Sequence, residues 1–74
     1  MKVSPVGSNM TEVQLNDGTY ILFSYKTPVA ANLSSGGFVR TSTYFSKTTS
    51  RHINKWLDGA NADLVEQSFL DNLA

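Results

Sequence analysis

The chain has 74 residues and no cysteine, which bounds it to one domain without disulfides or thiolate metal sites. A single histidine leaves a closed zinc site short of ligands, so neither metal nor cofactor is expected. Net charge is zero and apolar residues make up 41%, with no run near the ~20 apolar residues of a membrane span, so no membrane role is expected.

Residues 1–9 carry Pro5, Gly7, Ser8 and Asn9 with little periodicity, and read as a flexible N-terminal arm. No apolar run follows Lys2, so no signal peptide is expected there. Residues 10–74 then form the single domain. Met10, Val13 and Leu15 lead into Asn16-Asp17-Gly18-Thr19, and Asp-Gly accepts the positive φ angles of a tight hairpin. The return strand, Tyr20 to Tyr25, puts Ile21, Phe23 and Tyr25 on one face and Tyr20, Leu22 and Ser24 on the other. Both faces are fairly apolar, which predicts a central strand.

Lys26-Thr27-Pro28 interrupts this run, since proline belongs at a strand start or edge. Val29 to Leu33 reads as a third strand, whose Ala30 and Ala31 allow close approach of another element. Ser34-Ser35-Gly36-Gly37 is the next turn, and Phe38 to Tyr44 a fourth strand. Phe38 and Arg40 face one side of it, Val39 and Thr41 the other. The period then changes to 3.6. Thr48 or Thr49 is the expected N-cap, Ile53, Trp56 and Leu57 form one apolar stripe, and Gly59 is the expected C-cap. Asp63 and Glu66 resemble a capping box for a second helix lined by Leu64, Val65, Phe69, Leu70 and Leu73. The expected fold class is α+β: a small antiparallel sheet of about four strands with one or two C-terminal helices packed on one face.

Charge is unevenly placed. Residues 1–57 hold all six cations and two carboxylates, a net +4, while residues 58–74 hold four carboxylates and no cation, −4. The expectation is that the acidic end packs beside the basic body.

The residues offer four kinds of candidate site. His52 is the only group with an unperturbed pKa suited to general-base work. A triad would need Ser42, Ser46 or Ser50 and an acid such as Asp58 or Asp63, but Asp58 stands six residues away, off the helical face. No nucleophile elbow, HExxH or glycine-rich phosphate loop is present, so no catalytic residue and no enzyme is expected. The helix start is a candidate anion site: Thr48, Thr49 and Ser50 offer amides and hydroxyls at the positive end of the dipole, flanked by Lys47 and Arg51, with Arg40 arriving from the preceding strand. Ordinary capping needs only one of these hydroxyls. Lys47, Arg51, His52, Asn54 and Lys55 form a basic helix face that nucleic acid could use, although zero net charge weakens that signal. Tyr20, Tyr25, Phe38, Tyr44, Phe45 and Trp56 are many aromatics for a small domain, and any left exposed suit a protein interface. Because a chain this short buries only ~60% of its unfolded surface, self-association is the remaining common source of stability, and a homo-oligomer is kept among the partners.

The strings SYKTPVAA (residues 24–31), GFVRTSTYFSKTTSRHINKWL (37–57) and VEQSFLDNL (65–73) together resemble a family of short uncharacterised bacteriophage proteins. Its pattern runs SYxTPVA, then an RTS strand, then TTSRHIN. Tyr25, Thr27, Pro28, Val29 and Ala30 fall in the first motif, Arg40, Thr41 and Ser42 in the second, and Thr48 to Asn54 in the third. The resemblance covers residues 10–73. It implies a phage origin and the host cytoplasm, and it implies no activity. The expected function is a small non-enzymatic phage accessory protein, a protein-binding module that modulates a host or phage complex. The alternative is a nucleic-acid-associated protein using the basic face of the helix at 48–58.

Overall fold

Asp17 and Gly18 reverse the chain where the sequence places a hairpin. In the computed structural model, which describes residues 1–73, the elements run β1 (Lys2–Gly7), β2 (Met10–Gln14), β3 (Tyr20–Ser24), β4 (Thr27–Asn32), β5 (Phe38–Thr41), α1 (Lys47–Leu57), β6 (Ala62–Val65) and α2 (Gln67–Leu73). Gly18 takes φ +95°, and Thr19 N–H donates to Asp17 Oδ1 at 2.9 Å. That amide holds the Asp17 carboxyl below its ordinary value, so its stabilisation of the turn is present above the ordinary value and is lost as acid protonates the group.

The six strands form one sheet in sequence order, β1 to β6. The first five pair antiparallel, and β6 joins β5 in parallel, Phe38 opposite Ala62 through Thr41 opposite Val65. A parallel neighbour requires a crossover, and α1 is that crossover. The sheet is thus mixed, with six strands instead of the expected four antiparallel ones.

Both extra strands lie in segments whose sequence predicts other structure. Residues 2–7, expected to belong to a flexible arm, pair with β2 as an edge strand, with a register shift between Pro5 and Gly7. Proline is tolerated there because an edge strand has one unpaired side. Residues 62–65, expected to open the second helix, are β6; four residues with one apolar pair fit either period. The helix begins only at Gln67, so the Asp63–Glu66 capping box does not form. The fourth predicted strand also stops early, at Thr41 instead of Tyr44.

The helices pack on opposite faces of the sheet, which corrects the expected single covered face. The reason is in β3 and β4. Ile21 and Leu22 are neighbours that project to opposite sides, and both are 0% exposed; so are Ala30 and Ala31. Leu22, Ala30, Met10 and Val29 pack with Ile53 and Leu57 of α1. Ile21, Ala31 and Val39 pack with Leu70 of α2. Two alanines in sequence let a helix approach each face. Pro28 fits inside the sheet because a bulge interrupts the ladder: Leu22 pairs with Ala30 and Phe23 with Pro28, leaving Val29 as the extra residue. The Pro28 carbonyl instead accepts Gln67 Nε2–H at 2.7 Å, tying α2 to β4.

This arrangement divides the acidic end. Asp58 caps α1, three residues after Lys55, and Asp63 lies in β6 beside β5, the strand that carries Arg40. Glu66 and Asp71 follow in the link to α2 and in α2, across the sheet from Lys47, Arg51 and Lys55 of α1. No helix among the described residues is long and apolar enough to cross a membrane.

Candidate functional site

The string SKTTSRHINKWL is capped at Ser46, two residues before the first of the expected threonines. Ser46 is extended (φ −165°, ψ 167°) and its Oγ accepts Thr49 N–H at 3.1 Å. Its carbonyl accepts Ser50 N–H at 3.0 Å. Neither Thr48 nor Thr49 is therefore the N-cap. Thr49 lies in the third helical position with its side chain buried, and Thr48 is exposed. Ser46→Ala is expected to cost about 1 kcal/mol of stability, and Thr48→Ala a few tenths at most, in urea unfolding. Equal costs would contradict this cap. At the other end Asp58 adopts the left-handed conformation (φ 50°) as C-cap, with Gly59 (φ 84°) following, one residue earlier than expected.

The chain between β5 and α1 is shaped by short polar contacts. Ser42 N–H reaches across to Val65 O at 2.9 Å, and Thr43 N–H turns back to Thr41 Oγ1 at 3.1 Å. This small turn ends β5 and leaves Tyr44 (70% exposed) and Phe45 (44%) on the surface. Leu64 of β6, opposite Arg40 in the parallel ladder, is 68% exposed. A groove of about 270 Å³ opens between these elements, lined by Arg40, Thr41, Ser42, Thr43, Tyr44, Phe45, Thr49, Ser50, Ile53 and Leu64. It sits where a parallel strand runs into the N-terminus of its crossover helix, the position at which helix-dipole amides can meet an anionic group. Its floor is rich in hydroxyls and holds one guanidinium; its rim is aromatic and aliphatic. Arg40 Nη1–H donates to Asn54 Oδ1 at 3.1 Å, which orients the guanidinium.

The nine residues singled out in sequence thus divide into three groups. Arg40, Thr49 and Ser50 line the groove, and Asn54 positions Arg40. Lys47, Arg51 and Lys55 repeat every four residues along the exposed side of α1, with Thr48 beside them. His52 belongs to a separate network. Its Nδ1 lies 2.7 Å from Ser24 Oγ, a hydrogen bond whose donor follows the imidazole tautomer. Ser24 Oγ is also 3.2 Å from Thr49 Oγ1, which in turn accepts Ser46 Oγ–H at 3.3 Å. The Tyr25 ring stands 5.9 Å from the imidazole. The partner of His52 is therefore Ser24, not Ser42, Ser46 or Ser50. Ser24 is 2% exposed, so its hydroxyl ties β3 to α1 and is closed to a substrate. Among the described residues, no three His, Cys, Asp or Glu side chains converge as a metal site.

Sequence reasoning missed Tyr44, Phe45 and Leu64 as a shared rim. Tyr44 reads as the end of a strand, Phe45 as the residue after it and Leu64 as part of a helix, so no single pattern brought them together. A family model described as a family of unknown function (DUF8033) matches residues 1–72. No curated protein and no solved structure matches the chain.

Proposed function

The chain belongs to that family, and we propose that it is a non-enzymatic binding module whose groove at the start of α1 receives a segment of a protein partner. The carrying observation is the meeting, in one groove of about 270 Å³, of a hydroxyl-rich floor with Arg40 and a rim of exposed Tyr44, Phe45 and Leu64. Such a surface suits a segment that offers an anionic or carbonyl group beside an apolar side chain. Aromatic anchors next to an oriented arginine are the residue types that dominate binding energy at interfaces. The phage resemblance supports placing the partner among host or phage proteins of the host cytoplasm; a second copy of the chain is one such protein partner.

The second reading rests on a different surface. The exposed line of Lys47, Arg51 and Lys55 offers three cations to phosphates, few for a nucleic-acid module and in a chain of zero net charge.

Affinity capture from host lysate, with and without nuclease, separates the two. The binding module predicts a nuclease-resistant protein partner lost with Tyr44→Ala or Leu64→Asp and kept with Arg51→Glu. Each rim variant should weaken it by about thirtyfold, as for an interface hot spot of ~2 kcal/mol. Capture that vanishes with nuclease or with Arg51→Glu, and survives both rim variants, would replace this reading by the nucleic-acid one.

A further inference from the structure

A second groove, of about 260 Å³, lies near the C-terminal part of α1 and is lined by Glu12, Tyr20, Asn32, Phe38 and Trp56. The sheet register builds it. Tyr20 pairs with Asn32, and Asn32 with Phe38, so these three stand in a row across β3, β4 and β5. Alternation puts this row on the α1 face, with Leu22 and Arg40. Glu12 pairs with Leu22, one step along the strands on the same face. Trp56 comes down from α1 over the row, its ring 5.9 Å from that of Phe38 at an interplanar angle of 83°. Trp56 Nε1–H donates to Glu12 Oε1 at 3.0 Å, which fixes both the indole and the carboxylate. All five residues are half-buried, so their surfaces are neither sealed in the core nor free in solvent.

Three aromatic rings beside one carboxylate are a particular chemistry. Ring faces carry negative electrostatic potential and attract cations, most strongly where water is partly excluded. The carboxylate supplies a counter-charge, while its bond to the indole leaves it poorly placed for the two-pronged grip that a guanidinium prefers. The volume falls below the ~300–1,000 Å³ of sites for drug-sized ligands, which suits a single headgroup. We propose that this groove binds an organic ammonium ion, with the rings of Tyr20, Phe38 and Trp56 around the cation and Glu12 as its counter-charge. Methylated ammonium groups, which shed water more readily than a bare one, fit best; the group is either a free small molecule or a methylated lysine side chain. The proposal is independent of the groove at the helix start.

Trp56 is the only tryptophan, so its indole N–H gives one NMR reporter inside the site. The full chain is titrated with tetramethylammonium, choline, a peptide carrying trimethyl-lysine, and 3,3-dimethylbutanol, the uncharged counterpart of choline. The expected result is a saturable shift of the indole signal with the ammonium probes into the tens of millimolar, and at most a trace with the alcohol. Glu12→Gln keeps an acceptor for the indole and removes the charge; it should weaken binding by about tenfold, and Tyr20→Leu by a similar factor. Stronger binding of the peptide than of choline assigns the site to a protein-borne side chain, and the reverse order assigns it to a free molecule. No saturable shift, an equal shift with the alcohol, or unchanged affinity in Glu12→Gln with its amide spectrum intact would overturn the proposal.

Discussion

Leu70→Ala is expected to cost about 2–5 kcal/mol of folding free energy, the range for deleting a fully buried leucine. For a domain of 74 residues the total is roughly 4–11 kcal/mol at 0.05–0.15 per residue, so this single truncation removes a large part of it. Leu70 is 0% exposed and packs with Ile21, Ala31 and Val39, the whole buried cluster on the α2 side of the sheet. A helix of seven residues has little stability of its own, so α2 exists because Leu70 and the Gln67–Pro28 bond hold it there. Phe69, next in sequence but 41% exposed, is the control, and Phe69→Ala should cost under about 1 kcal/mol. Urea unfolding of both variants gives the comparison. Near-equal costs would mean that α2 is not docked on this face, and the two-sided sheet would fall.

The second large effect is expected at Ser24→Val, about 1–3 kcal/mol. The substitution keeps the volume near that of serine plus one group and removes both of its hydrogen bonds. Thr49 Oγ1 retains Ser46, but His52 Nδ1 loses its 2.7 Å partner. Thr49→Val should cost a similar amount, and the double variant less than the sum, because both changes break one network. Strict additivity would show that the two hydroxyls act separately. The exposed Ser42→Ala should stay within about 0.5 kcal/mol of wild type. A Ser24→Val protein of wild-type stability would remove the reason given for the burial of two hydroxyls between β3 and α1.

The core of this fold was largely legible in the residues, and the edges were not. Asp17-Gly18, the two apolar faces of Tyr20 to Ser24, and the Ile53–Trp56–Leu57 stripe each carry a strong local pattern, and each lies where that pattern puts it. The two apolar faces of β3 pointed to a central strand, but the cover on both sides, by α1 and α2, was not read from them. The strands at the edges, β1 and β6, have weak patterns because one or both of their faces meet water, and their pairing is decided by long-range contacts. The second helix begins later than its pattern predicts because Leu64-Val65 fits a helix as well as a strand. In the candidate site, Arg40, Thr49 and Ser50 were found from the helix start. Leu64 was not, since only the parallel pairing of β5 and β6 brings it opposite Arg40. The Ser24–His52 bond joins residues 28 apart in sequence, and no local rule could supply it.

The most direct test of the binding module is amide NMR of the labelled chain titrated with the partner recovered by capture. The account predicts that the shifts concentrate at residues 40–46, at Thr49 and Ser50, and at Leu64. Shifts confined to Arg51, Lys55 and the outer side of α1, with the groove residues unmoved, would contradict it.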